Sequence, residues 1–243
     1  MNTNQNLQQL SELKLQGMKK SYQALLDLSL DQQPEGHEML SLMIQAETQH
    51  RQLQRTDLLL RAGKLRYRAT LDQITCSPLR NLTKDKIAFL ADCSFIQNGQ
   101  NILITGATGC GKSYLACALG NQACLMGYRT IYLNMNRFVE KIGQAKLDGT
   151  FIKLLNQLEK VKLLILDDFG LQSLDQNMRI ALLQILEDRH QIKSTIIASQ
   201  LPLNKWYEYI KEPTIADAIM DRLTENAHKI DLKGESLRKK KIN

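Results

Sequence analysis

Eight consecutive residues carry the clearest chemistry in the chain: Gly106-Ala107-Thr108-Gly109-Cys110-Gly111-Lys112-Ser113. Three glycines let a backbone curl tightly enough for successive N–H groups to converge on phosphate oxygens. Lys112 is placed to reach the β- and γ-phosphates of a nucleotide, and Ser113 to ligate Mg²⁺. The flanks agree with this use. The apolar, β-branched run 100–105 precedes the loop as a strand, and the Ala- and Leu-rich run 113–126 follows it as a helix. A glycine-rich turn with no ligand requires neither the Lys-Ser pair nor the strand–helix frame. All eight residues are therefore expected to contact ATP, with Mg²⁺ as the accompanying ion.

The second constellation is Leu163-Leu164-Ile165-Leu166-Asp167-Asp168. A buried strand here delivers two carboxylates at its C-terminal end, where ligands of open α/β sheets bind. Asp167 is expected to hold Mg²⁺ through water, and Asp168 to polarise an attacking water. A third piece is Ser194–Gln200, a strand ending in polar residues. There Ser199 or Gln200 is a candidate to bond the γ-phosphate or orient the water. Phosphoryl transfer rests on positioning and charge neutralisation, so a positive group from the same chain or a neighbour is also expected. Arg222 is the first candidate and Arg189 the second, with Arg179 also near the acidic strand's following helix.

These residues need a scaffold. Apolar spacing predicts helix over much of residues 1–75, with Leu7, Leu10, Leu13, Met18, Tyr22 and Leu25 on a first run and residues 38–69 on a second. Gln32-Gln33-Pro34-Glu35-Gly36 separates the two. From Leu79 the texture changes to alternating strands and helices. Strands are expected at 100–105, 128–133, 163–166 and 194–199, and helices at 113–126, from 137, and at 177–190. Gly127 is expected to cap the first of these helices. The alternation predicts an α/β fold with a parallel sheet covered by helices on both faces. The boundary falls at Ser77-Pro78, giving a helical domain 1–77 and a nucleotide-binding core 78–243.

Bulk properties narrow the partners. The net charge of +7 over 243 residues favours polyanions. The segment with Arg51, Arg55, Arg61, Lys64, Arg66 and Arg68 is strongly basic, and Arg238-Lys239-Lys240-Lys241 forms a second cluster. Both suit sequence-independent phosphate contacts. Cys76, Cys93, Cys110, Cys117 and Cys124 show no paired spacing and lack clustered histidines, so reduced small hydrophobes are expected instead of a zinc site or disulfides. No apolar run is long enough to span a bilayer, and the N-terminus lacks a signal pattern. A cytoplasmic protein with no membrane partner is expected.

At this point the residues resemble a family. Leu13–Met18, Gly127-Tyr128-Arg129, Glu187-Asp188-Arg189, Ser194–Pro202, Trp206, Ala216–Leu223 and Gly234–Arg238 are similar to the IstB-like ATP-binding proteins of insertion sequences, within the AAA+ ATPases. The DnaC helicase loader and the DnaA initiator are more distant resemblances. The family resemblance implies an ATP-dependent homo-oligomer on duplex DNA that helps choose a target and recruits and stimulates a DDE transposase. It further implies that Arg222 reaches a neighbour's ATP, that Ser199 and Gln200 act as first sensor, and that the N-terminal helices serve oligomerisation or partner contact. Two departures stand out. Asp168 occupies a position where many relatives have Glu. The chain ends soon after Lys241, leaving little room for the helical lid of many AAA+ proteins, although Arg238 is available locally.

Two other readings share the nucleotide site. A DnaC-like loader would prefer single strands and a replicative helicase. A small-molecule kinase would need an acceptor-site lid that is not evident in the sequence. The stretches Gln200-Leu201-Pro202 and Gly234-Glu235-Ser236 favour the transposition helper.

Overall fold

Four short apolar stretches and one more polar edge segment pair side by side as a wholly parallel sheet. In the computed structural model, which describes residues 3–237, these are β1 (Ile102–Gly106), β2 (Thr130–Asn134), β3 (Leu163–Phe169), β4 (Ser194–Ser199) and β5 (His228–Leu232). Their order across the sheet is β2-β3-β4-β1-β5. Strand alternation sends successive side chains to opposite faces. Ile102, Ile104, Ile165, Ile196 and Ala198 enter one apolar cluster. Leu103, Leu164, Leu166 and Ile197 enter the other. Both faces are apolar because helices cover both, as a parallel sheet requires.

Several helices begin where a polar side chain accepts an orphan N–H group of the first turn. Asn134 accepts from Arg137 at the start of α7 (Met135–Leu147), and Asp175 from Met178 at the start of α9 (Gln176–Glu187). Glu212 does the same for α11 (Pro213–Thr224), with Pro213 at the first turn. The helix after the phosphate loop, α6 (Lys112–Leu125), ends at Gly127, whose φ is +85°. Tyr128 N–H donates back to Ala123 O there, as the glycine cap predicts.

Some elements depart from expectation. α4 (Lys84–Ala91), α5 (Ser94–Gln97), α8 (Phe151–Glu159), α10 (Trp206–Ile210), α11 and β5 had no predicted counterpart. β5 is an edge strand in which only Ile230 and Leu232 are buried between exposed polar residues, so its composition reads as loop. The strand predicted at 128–133 starts at Thr130, and the strand at 163–166 continues to Phe169.

By packing, the chain forms two units, 1–58 and 59–243. The first contains α1 (Thr3–Glu12), α2 (Gln16–Leu26) and most of α3 (Gly36–Gly63). The expected continuous first run is broken at Lys14, whose φ is +60°. Gly17 follows the break because α2 lies directly on α3: a Cβ there would sit 2.5 Å from Ala46 O and Glu47 Cα. Glu47, only 6% exposed, accepts from the N–H groups of Gly17 and Met18 at 2.7 and 3.2 Å and so caps α2 from a neighbouring helix. The second unit starts well before Ser77-Pro78. Leu65, Tyr67, Leu71 and Ile74 pack against its core, and Ala69 lies within it. The second predicted helix stops at Gly63, not Ala69. Arg238–Lys241 lie outside the described residues. Among the described residues no helix is long and apolar enough to cross a membrane.

Candidate nucleotide site

The phosphate loop joins the end of β1 to the start of α6. Gly106, Gly109 and Gly111 have φ of +144°, +83° and +94°, which L side chains rarely adopt. Lys112 is 8% exposed, and its Nζ donates to Gly106 O at 2.8 Å and Ala107 O at 2.9 Å. The charge thus sits inside the loop's curl. The chain's later segment lies against the same loop. Leu237 N–H donates to Gly109 O at 3.0 Å, and a Cβ on Gly109 would lie 2.1 Å from Ser236 Oγ. Arg80 Nη2 donates to Cys110 O at 2.5 Å. Arg80 was not foreseen as a loop contact, and nothing in its local sequence marks it.

The acid pair meets the loop at Ser113. Ser113 Oγ donates to Asp167 Oδ1 at 3.0 Å, and Asp167 is 1% exposed. The other carboxylate oxygen accepts from Tyr132 O–H at 2.6 Å. Burial and the adjacent carboxylate together push the Tyr132 hydroxyl well above its usual range, so it remains a donor. Tyr132 reaches Asp167 because β2 pairs with β3. Hard oxygens at this spacing fit Mg²⁺, which is typically held by one or two carboxylates plus substrate phosphates.

β3 carries an irregularity between Leu166 and Phe169, and Asp168 there has a φ of +60°. Regular alternation would send two adjacent side chains to opposite faces. The bulge re-aims them, and both carboxylates approach a single cation, Arg66 Nη1, at 3.9 Å from Asp167 and 3.4 Å from Asp168.

Ser199 and Gln200 separate cleanly. Ser199 is fully buried; its Oγ donates to Phe169 O at 2.6 Å and accepts from Leu201 N–H at 3.0 Å. One bond ties β4 to β3 and the other secures the turn after β4, so the Ser199 hydroxyl is committed to the strand ends and not to the phosphate loop. Gln200 is the one at the loop, where its Oε1 accepts from Thr108 O–H at 2.6 Å. Gln200→Ala is expected to lower turnover about 10- to 100-fold at unchanged melting temperature. Ser199→Ala is expected to cost about 1–3 kcal/mol of stability. Parallel turnover and urea-denaturation measurements on the two variants check the assignment; the reverse pattern would overturn it.

The arginines separate too. Arg189 is 1% exposed, and its guanidinium donates to the carbonyls of Leu158, Val161 and Ser194 and to Thr195 Oγ1. Burial pushes its pKa down to about 9. It pins strand and helix ends together and is no longer a candidate finger. Arg222 lies on α11, partly exposed, with Nε on Glu187 Oε2 at 2.5 Å. Its own carbonyl accepts from Asn101 Nδ2, just ahead of β1. The phosphate loop begins at the opposite end of that strand, about 16 Å away at the usual rise per residue.

A five-stranded parallel sheet, a phosphate loop after β1, an acid pair ending β3 and the β4 end between them define an AAA+ P-loop nucleotide-binding core. The DnaC helicase loader shares this fold, with a TM-score of 0.54 and 20% identity over 69% of this chain and 98% of that one. The chain belongs to the IstB-like ATP-binding proteins, whose family model matches residues 8–243. An insertion sequence ATP-binding protein of Sinorhizobium fredii is 40% identical over 233 residues, covering 96% of this chain and 95% of its relative. The IS1162 ATP-binding protein of Pseudomonas fluorescens is 40% identical over 203 residues, or 83% and 88% of the two chains.

Proposed function

We propose that this chain is an Mg²⁺-dependent ATPase that assembles with copies of itself on duplex DNA and recruits and stimulates a DDE transposase during insertion-sequence movement. The observation that carries the reading is the Ser113–Asp167 pair at a complete phosphate loop, on a chain whose relatives of matching length are insertion sequence ATP-binding proteins. The likeness to the helicase loader supports the fold alone.

In this mechanism the loop's backbone N–H groups and Lys112 hold the β- and γ-phosphates. Ser113 and Asp167 would hold Mg²⁺, which supplies charge neutralisation between the phosphates. Asp168 orients water for in-line attack on the γ-phosphorus and accepts its proton as the bond to the β–γ bridging oxygen breaks. Gln200 bonds the transferred group. ADP and inorganic phosphate are the products.

For DNA, part of the basic segment is already engaged: Arg51 pairs with Glu47 at 2.7 Å, and Arg66 turns to the acid pair. The more suggestive surface joins exposed Lys64, Arg137 and Lys141. Burial first, then Lys64 and Arg137, pushes the Lys141 pKa down. Gathered like charges of this kind favour a polyanion.

Retention on duplex DNA across a salt series, with and without a non-hydrolysable ATP analogue, tests the proposal. Affinity is expected to fall linearly on a log–log plot against salt and to tighten with the analogue. Retention indifferent to both would sink it, and a marked single-strand preference would favour a helicase loader instead.

A further inference from the structure

Arg66 stands three residues beyond the end of α3 at Gly63, in a stretch whose charge alone reads as a polyanion contact. Its guanidinium goes elsewhere. Nη1 lies 3.4 Å from Asp168 Oδ2 and 3.9 Å from Asp167 Oδ2, so one cation serves both acids. Its Cζ sits 5.3 Å from the centre of the Tyr67 ring, a cation–π distance that holds the group from behind. Burial works against the charge, but Tyr132, Tyr67 and Asp168 outweigh it and raise the Arg66 pKa.

The need for such a restraint follows from the backbone. Asp167 is fixed by Ser113, Tyr132 and the N–H of Asp168. Asp168 is the more exposed acid, with its side chain at 30%, and it sits on the bulge at a φ of +60°. Regular strand geometry therefore does not set where its carboxylate lies. Arg66 reaches it from a segment remote in sequence, and from the same subunit.

We propose that Arg66 is a positioning residue for hydrolysis, holding the Asp168 carboxylate where it meets the attacking water. The proposal rests on the reading of the chain as an ATPase. It differs from the finger role of Arg222, because Arg66 acts within its own subunit's site.

The test uses the full-length protein with duplex DNA and compares wild type, Arg66→Ala, Arg66→Lys, Asp168→Asn and the Arg66→Ala/Asp168→Asn double variant. Steady-state turnover is measured beside affinity for a fluorescent ATP analogue. In Arg66→Ala, kcat is expected to fall about 10- to 100-fold, with analogue Kd changed by less than about threefold. Arg66→Lys should recover part of the loss, since a point charge replaces a planar fork. The double variant should be no slower than Asp168→Asn alone, because the two residues act as a unit. Wild-type turnover in Arg66→Ala, loss of analogue affinity in step with turnover, or an additive loss in the double variant would each overturn the assignment. A wild-type protein without turnover would instead overturn the ATPase reading, and the Arg66 role with it.

Discussion

Lys112→Ala is expected to lower ATP turnover about 10²- to 10³-fold, the cost of removing one preorganised donor at a developing charge. The expectation comes from where the lysine is. Its Nζ is held at 2.8 and 2.9 Å by two carbonyls of its own loop, at 8% exposure. The ammonium is thus positioned by the backbone of its own loop. Alanine removes the cation and leaves Gly106 O and Ala107 O without their donor. Nucleotide affinity should fall as well, because a lysine that meets the β-phosphate acts in the ground state. The simplest readout is thermal: a ligand at a hundred times its Kd stabilises a protein by about 2.7 kcal/mol. Wild type should show the corresponding rise in melting temperature with saturating nucleotide, and Lys112→Ala should not. Lys112→Arg is expected to fail nearly as badly, because a rigid planar fork does not fit the curl that a point charge occupies. Turnover within a factor of about three of wild type in Lys112→Ala would remove the loop from the hydrolytic site.

What was legible in the sequence was what is local. The loop spans eight adjacent residues, and its glycines, lysine and serine act through spacing along the chain. Asp167 and Asp168 were legible because an apolar run must end somewhere, and in a parallel sheet it ends at the ligand edge. The residues that steady the acids were not legible. Tyr132 reaches Asp167 only because β2 pairs beside β3. Arg66 and Arg80 come from the segment ahead of β1 and meet the site only when that segment packs on the core. Residue type alone also misleads at strand ends. Ser199 and Gln200 are neighbours of similar polarity, yet one faces Phe169 O and the other faces Thr108. The pleat decides between them, and a one-residue shift in where β4 ends would exchange their roles.

The domain boundary shows the same limit. Ser77-Pro78 is a true local break, beginning a short 3₁₀ turn in which the Ser77 hydroxyl accepts from Leu79 N–H. A turn interrupts secondary structure without dividing a core. The packing division at Leu58/Leu59 falls inside a helix, where no turn signal exists. Buried polar chemistry is likewise hidden: by residue type Arg189 is a candidate finger, and only its carbonyl acceptors at the end of α8 and the start of β4 reveal a structural clip.

Arg222→Ala is expected to abolish hydrolysis, by about 10³-fold or more, while leaving ATP binding intact. The reasoning is geometric. The Arg222 carbonyl is fastened to Asn101 at the start of β1, and the phosphate loop lies past its other end. An arginine there cannot complete its own site, so any role at a γ-phosphate falls on a neighbour. Its present contacts suit that use. Nε is held by Glu187 and Nη1 by Ala218 O, so the side chain is oriented at a partly exposed surface. The decisive measurement mixes two inactive proteins. Arg222→Ala keeps an intact acid pair, and Asp168→Asn keeps an intact finger. In a head-to-tail assembly of equal parts, about a quarter of the interfaces would place a good Arg222 against a good Asp168. Turnover should therefore reappear on mixing, in proportion to such interfaces, and only under conditions that assemble the oligomer. Mixtures as inactive as their components would leave Arg222 as a structural partner of Glu187 and would detach ATP hydrolysis from assembly.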